Sequence, residues 1–351
     1  MNAAEDDRTR SEDAGAYQAP LTAGHFVPRY WGSWLLLGLA WLLQELPRPA
    51  VRGLARGLGR LIRRFAGRSR AAAQRNLELC FPQLSAAERA RRLEAYYRYQ
   101  AQAVLDYGLL WFGKPGQHAA RIRIEGLEHY ERLQSAGTPV IILAPHSLAL
   151  DYGGVRMSQM FDGVSFAKPL KNPVLEWINH RSRTRYSGDI FAREQGLRPA
   201  IRQLKRGRFF YYLPDEDLGA EGAVFVDFFG VKKATLTALG RLARVSRAAV
   251  LPSFAWYDAA ADQYVMRLWP PLEGYPTGDD EADARQMNAA VERGIQQAPA
   301  QYLWSMRLFR TRCPLVGHRR ELLEHVGVVR NETVRDAVDA EERDTRAVVP
   351  A

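Results

Sequence analysis

The stretch that most constrains this chain is Thr138–Gly154, TPVIILAPHSLALDYGG. Val140, Ile141, Ile142 and Leu143 are apolar without alternation, the pattern of a strand buried on both faces of a sheet. That places His146 just past a strand's carboxyl end, where the ligand crevice of an open α/β sheet lies and where a catalytic base is expected. Asp151 then falls near the start of the next helix. A carboxylate there can return to the imidazole, fix its tautomer and stabilise the imidazolium formed when the base takes a proton. A His and an Asp five residues apart also occur by chance, so the rest of the chain has to decide.

Residues 1 to about 25 are polar, largely acidic and without hydrophobic period, which predicts a structureless tail and no cleavable signal peptide. Tyr30–Leu43, YWGSWLLLGLAWLL, is apolar throughout and carries Trp31, Trp34 and Trp41. As a helix it covers about 21 Å, short of the roughly 30 Å hydrocarbon core. It either crosses when extended through Phe26 or Leu46, lies partly embedded, or is a buried core helix; the tryptophans favour an interface. Between Glu45 and Glu78 stand Arg48, Arg52, Arg56, Arg60, Arg63, Arg64, Arg68, Arg70 and Arg75 with no acid among them. Arg52, Arg56, Arg60 and Arg63 recur at helical spacing, the signature of a basic amphipathic helix on anionic headgroups. A solvated basic face is the rival, and a nucleic-acid stripe a weaker one, because no reading motif or stacking platform accompanies it. The formal charge of +10 points to anionic partners, whether nucleic acid, anionic lipid, or a phosphorylated or acidic substrate, and position in the chain decides among them. Cys80 and Cys313 lie far apart, outside any metal-binding spacing, so neither structural zinc nor a disulfide framework is expected.

Ser85-Ala-Ala-Glu88 reads as a capping box opening a helix to about Phe112. Thereafter strand-like pieces (RIRIEG, 139–144, GVSFAKP, RFFYYLPD, AVFVDFFG, AAVLPSFAWY and QYVMRLWP) alternate with helix-like ones near 128–135, after Asp151, from Pro173, and near 197–206, 234–246 and 281–297. The alternation predicts an α/β fold with a mixed, mainly parallel sheet flanked by helices, behind an N-terminal membrane-associated helical region. The division expected is a tail over 1–25, anchor and basic helices over 26–115, the α/β domain over 116–318, and a second tail over 319–351.

His-x4-Asp, followed by RxxxLRPAIRQLKRG, YYLPDEDLG and VFVDFFGVKKATLTALGRLARVSRAAVLP, with RNLELCFPQLSAAER upstream and QYLWSMRLFRTR downstream, resembles the late acyltransferases of lipid A biosynthesis. This lauroyl/myristoyl transferase family lies within the glycerolipid His-x4-Asp/Glu acyltransferase superfamily, and the resemblance covers roughly residues 26–314. It implies Arg193, ahead of the helix LRPAIRQLK, as a functional arginine, suited chemically to a phosphate clamp or oxyanion aid and otherwise one surface arginine among many. It also favours Asp217, the second acid of the PDxD motif, as a site residue. From residue type alone Asp215 and Asp217 fit a structural turn equally well, and no third ligand suggests a metal. Lys232 and Lys233 are candidates to meet a substrate phosphate. Phe225, Phe228 and Phe229 read as core or as an acyl-chain groove. The chain departs from the family at Ser147, where an aromatic is common, at Asp151, where many members have Glu, and at Met306 and Leu308, which replace polar residues.

The resemblance implies transfer of a fatty acyl chain from acyl carrier protein to a hydroxyl of a phosphorylated glycolipid, a lipid A precursor, at the cytoplasmic face of the inner membrane, without a cofactor. Acyl transfer from a thioester needs a base, donors for the oxyanion and cations for phosphate. His146 supplies the base, and direct attack by the acceptor oxygen needs no protein nucleophile; Ser147 lies in no GxSxG elbow. The rivals are an acyltransferase of the same fold acting on a lysophospholipid, aminolipid or other glycolipid, and an inactive scaffold at the membrane surface.

Overall fold

A computed structural model describes residues 15–311. Helices α1 (Trp31–Leu43), α2 (Arg48–Phe65), α3 (Gly67–Cys80), α4 (Ala86–Leu105), α5 (Tyr107–Phe112) and α6 (Pro115–Arg121) precede the first strand. There follow β1 (Ile122–Glu125), α7 (Leu127–Ser135), β2 (Val140–Leu143), α8 (Leu150–Met160), β3 (Gly163–Ala167), α9 (Pro173–Arg183), β4 (Gly188–Ala192), α10 (Arg198–Lys205) and β5 (Phe209–Tyr212). The chain then makes β6 (Ala223–Phe228), β7 (Val231–Leu236), α11 (Ala238–Ser246), β8 (Ala249–Asp258), β9 (Gln263–Leu268) and α12 (Asp280–Gln297). Seven strands form one sheet in the order β1-β9-β8-β2-β5-β3-β4. Every neighbouring pair is parallel except β8 with β9, so the sheet is mixed and mainly parallel, with helices on both sides.

The unalternated run of β2 is explained by its place. Ile141 and Leu143 enter a core with α3, α4, α11 and α12, while Val140 and Ile142 enter a second core with α7 and α8 on the opposite face. Each face of a central strand is covered, so every position is apolar.

Four local readings change. The helix opened by Ser85, whose hydroxyl accepts the Glu88 N–H while Glu88 returns to the Ser85 N–H, stops at Leu105 instead of running to Phe112. At the break the buried Asp106 carboxylate takes Arg48 at 2.6 and 3.0 Å, Gln102 at 2.8 Å and the Tyr264 hydroxyl at 2.9 Å. Burying that charge requires the cation, and supplying it fastens the N-terminal helices to the sheet. Residues 231–236, read as leading into a helix, instead form β7 of a β6–β7 hairpin outside the main sheet. Its turn, Phe229-Gly230, has φ of 51° and 77°, the left-handed pair that two-residue hairpins use. Residues 15–25, assigned to a structureless tail, are tied down: Tyr17 donates its N–H to Ile190 O, and its carbonyl meets His180 Nε2. Finally, Arg48 and Arg52 of the basic stripe face Asp262, which Arg121 also binds. The expected C-terminal tail and Cys313 lie outside the described residues.

Among the described residues no helix is long and apolar enough to cross a membrane. α1 nevertheless exposes Trp31 (64%), Leu35 (76%), Leu39 and Leu42, spaced i, i+4, i+8, i+11 along one face, while Leu37 with Trp34 packs on Val174 and Ile178 of α9.

Candidate active site

His146 and Asp215 meet because of register. β2 and β5 are adjacent and parallel with Leu143 opposite Tyr212, and each residue stands three positions past its strand's last residue, behind a proline. Pro145 and Pro214 have no N–H and end the ladder, whose last bond is Ala144 N–H to Tyr212 O. The loops are thereby matched, and the Asp215 carboxylate takes both donors of His146: the backbone N–H at 2.8 Å and ring Nδ1 at 2.7 Å. A carboxylate at Nδ1 assigns the proton there and leaves the Nε2 lone pair free. Burial works against an imidazolium, but the Asp215 charge and hydrogen bond outweigh it and raise the His146 pKa above its usual 6.5. Asp215 is buried, which opposes its charge, yet the contacts with His146 hold it below the ordinary carboxylate range.

The imidazole's partner is therefore Asp215, and the expectation that Asp151 fills that role is corrected. Asp151, in the first turn of α8, accepts from Arg183 Nε at 2.9 Å and Nη2 at 3.1 Å and from the Tyr107 hydroxyl at 3.0 Å. Burial pushes its pKa up, but Arg183 and Tyr107 bring it below its usual value. Both oxygens are occupied by stronger donors than an imidazole already engaged elsewhere.

The three acids of PDED divide their work. Asp215 holds the histidine; Glu216 pairs with Arg193 at 2.7 Å; Asp217 accepts from Thr311 N–H at 2.7 Å, Thr311 Oγ1 at 2.6 Å and Gly219 N–H at 3.1 Å. Asp217 thus points away from the histidine and fastens the segment that returns past it. Leu303 N–H donates to His146 O, and Tyr302 bridges Ser147. Of the two lysines, Lys232 pairs with Asp227 on the hairpin surface at 3.0 Å. Lys233 is 1% exposed, its Nζ on Ala234 O at 3.3 Å and its pKa lowered by burial, so it faces the core and not a phosphate in solution. Phe228 and Phe229 pack on Phe81, Trp304 and Phe309, the core reading of that segment.

A cavity of about 250 Å³ opens at the histidine. His146, Asp151, Arg183, Arg193 and Lys168 give its polar end; Leu150, Val155, Phe166, Leu170 and Leu213 give apolar walls. It follows the sheet face along the whole of β3, from Ala167 back to Gly163, and reaches Gly188 and Asp189 at the start of β4. Close packing requires glycine at that end: a Cβ at Gly163 would stand 2.1 Å from the Phe209 ring, and one at Gly188 2.5 Å from Arg183 O. Ser147 does not line this cavity; its Oγ is buried with no hydrogen-bond partner among the described residues. Cys80 is likewise enclosed in the core. Among the described residues no cluster of His, Cys, Asp and Glu could hold a metal.

The matched family model, described as bacterial lipid A biosynthesis acyltransferase, spans residues 23–311 and so includes every residue of this cavity. The chain belongs to that family. It is 35% identical over 297 residues to a lipid A biosynthesis acyltransferase of Haemophilus influenzae, covering 84% of this chain and 93% of that one. It is 37% identical to the lipid A biosynthesis myristoyltransferase of Escherichia coli (82% and 89%) and 35% identical to that organism's palmitoleoyltransferase (81% and 93%). As a lipid A acyltransferase family member, this chain has a His146–Asp215 pair, an Asp151–Arg183–Tyr107 cluster and Arg193 around one cavity. Asp215, Arg183 and Tyr107 escaped the sequence reading in these roles. The only trace of the first was the repeated offset in LAPH and YLPD, which becomes informative once β2 and β5 are known to be neighbours.

Proposed function

We propose that the protein transfers a fatty acyl chain from the thioester of an acyl carrier protein to a hydroxyl of a lipid A precursor, with His146 as general base and no acyl-enzyme. The observation that carries this reading is the free Nε2 of a histidine, its Nδ1 held by a buried carboxylate, at the polar mouth of a cavity with apolar walls that the adjacent Ser147 does not line. Nε2 takes the proton as the acceptor oxygen bonds to the thioester carbon; the tetrahedral intermediate then expels the thiolate, which recovers that proton from the imidazolium. Asp215 offsets the imidazolium charge throughout. Arg183 and Arg193, already charged and held by Asp151 and Glu216, supply positive potential for the oxyanion and the acceptor's phosphate. The apolar cavity holds the acyl chain.

On this reading the protein works on the cytoplasmic side of the inner membrane, held by the exposed Trp31, Leu35, Leu39 and Leu42 of α1 and Leu54, Leu61 and Phe65 of α2 lying in the interface. Mass spectrometry of lipid A from a deletion strain decides the reaction. Wild-type protein should restore one acyl chain and His146→Ala should not; a change in another lipid class with lipid A unaltered would move the activity to a different acceptor.

A further inference from the structure

α2 and α4 pack side by side with rows of the same spacing facing each other. Arg56, Arg60 and Arg63 stand at i, i+4 and i+7 on α2, and Arg91 and Arg98 at i and i+7 on α4. Gly59 sets the separation: a Cβ there would come within 2.9 Å of Arg98 Cα and Tyr97 O, so only glycine lets the backbones touch. Above that contact the five arginines rim a cleft of about 240 Å³. Its one acid, Glu94, reaches only Arg63, at 3.9 Å. Arg56, Arg60 and Arg91 have no ion-pair partner among the described residues, although Arg48, Arg52 and Arg121 nearby in sequence or space are neutralised by Asp106 and Asp262. Like charges held together without a counter-ion repel one another in the free protein, and an anionic partner relieves that repulsion.

The side on which the cleft lies indicates the partner. On α2 the exposed apolar residues Leu54, Leu61 and Phe65 (75%) form one flank, the buried Val51, Ala55 and Gly59 come next, and the arginine row lies beyond them on the other flank. When the apolar flank meets the bilayer, the cleft faces the aqueous side. The opposite side of α4 packs toward the reaction centre: the Tyr96 hydroxyl donates to Ser305, in the segment whose Leu303 and Tyr302 are bonded to His146 and Ser147.

We infer that this cleft docks the donor's acidic carrier protein, an acidic helix lying between the two arginine rows while its thioester reaches the cavity. The inference rests on the carrier-borne donor proposed above. Electrostatic complementarity acts mainly on encounter, raising association rates by 10- to 10³-fold and giving salt dependence.

The test compares wild type with Arg60→Gln/Arg91→Gln/Arg98→Gln in the full-length protein, using acyl carrier protein immobilised on a biosensor and, in parallel, transfer from acyl carrier protein and from the corresponding acyl-CoA. The triple variant should bind the carrier at least 10-fold more slowly, lose most of the salt dependence, and raise KM for the carrier-borne donor by a similar factor with kcat unchanged. Arg64→Gln/Arg68→Gln, outside the cleft, should change these values less than 3-fold. Unchanged association and salt dependence in the triple variant overturn the inference, as does loss of binding to phosphatidylglycerol vesicles with carrier binding intact, which would make the cleft a headgroup site. A wild-type enzyme that neither binds the carrier nor uses its thioester, while acyl-CoA is consumed, instead removes the donor reading.

Discussion

Replacing Asp215 by Asn separates the two carboxylates near the histidine. Both Asp215 oxygens accept from His146, one from the backbone N–H and one from Nδ1. An amide has a single acceptor oxygen. It must leave one donor unpaired or turn its NH2 to Nδ1, which moves the ring proton to Nε2 and removes the base. The expected cost in kcat/KM is about 10²- to 10⁴-fold, the range in which general-base catalysis and its orienting carboxylate operate. Molecules that keep the productive tautomer exchange a charge-assisted hydrogen bond of about 1.5–3 kcal/mol for a neutral one of about 0.5–1.5. The difference, about 1–1.5 kcal/mol, corresponds to roughly one pKa unit. The sign follows from His146 having to be neutral to act: wild-type activity rises with pH through a pKa held above 6.5, and Asp215→Asn moves that acid limb to lower pH. Asp151→Asn disturbs Arg183 and Tyr107 instead and should leave the limb in place. The assay is kcat/KM from pH 5.5 to 9 on both variants, with thermal melts alongside. An acid limb that moves in Asp151→Asn and stays in Asp215→Asn refutes the assignment.

Breaking one partner of the Asp151–Arg183 pair, whose arginine is 35% exposed, should lower stability by about 1–3 kcal/mol, less than a fully buried pair, as urea denaturation of Asp151→Asn would show. Gly154 borders the cavity with ordinary 3.5 Å clearance to Tyr211, so Gly154→Leu fills the channel and not the core, and lipid mass spectrometry should find shorter acyl chains transferred. Asn76→Ala strands the Trp304 and Met306 carbonyls, each now 2.7 Å from Asn76 Nδ2, and should cost about 2–3 kcal/mol in denaturant titration. Trp31→Ser/Leu35→Ser/Leu39→Ser should release protein from membranes on fractionation without lowering the melting temperature, since these side chains pack on little of the protein itself.

Much of this molecule is legible in the chain because the signals are local. The unalternated β2, the Ser85 cap and the βα alternation depend on neighbours in sequence, and each appears in the structure. What the sequence withheld is non-local. Asp151 lies five residues from His146 and is nearer along the chain than Asp215, yet the loop after β2 carries it to Arg183. Asp215 arrives from 69 positions away because β5 pairs with β2. The β6–β7 hairpin was hidden for a different reason. Its turn is Phe229-Gly230, and a phenylalanine at positive φ is not a turn signal; Phe229 is held there by Phe81 and Trp304 and by its N–H on Glu292.

That hairpin clarifies how the site is kept in place. β6 packs on α12, where Asn288 donates to Asp227 O and Thr235 Oγ1, and α12 leads into the Tyr302–Trp304 segment. Asn76 of α3 holds the same segment from the other side, and Asp217 fastens Thr311 beyond it. Leu303 N–H then donates to the carbonyl of His146 itself. His146 is therefore gripped twice, through Nδ1 and its N–H by the β5 loop, and through its carbonyl by a segment that three distant elements lock in place. Such double constraint fixes an imidazole within the narrow tolerance that proton transfer demands. It also gives Asp217 and RNLELCF a reason to accompany the histidine without touching substrate: they set where the loop stands. Asp217→Asn, which weakens the Thr311 contacts, should accordingly lower kcat several-fold with the acid limb unmoved, whereas a substrate-binding role would appear in KM.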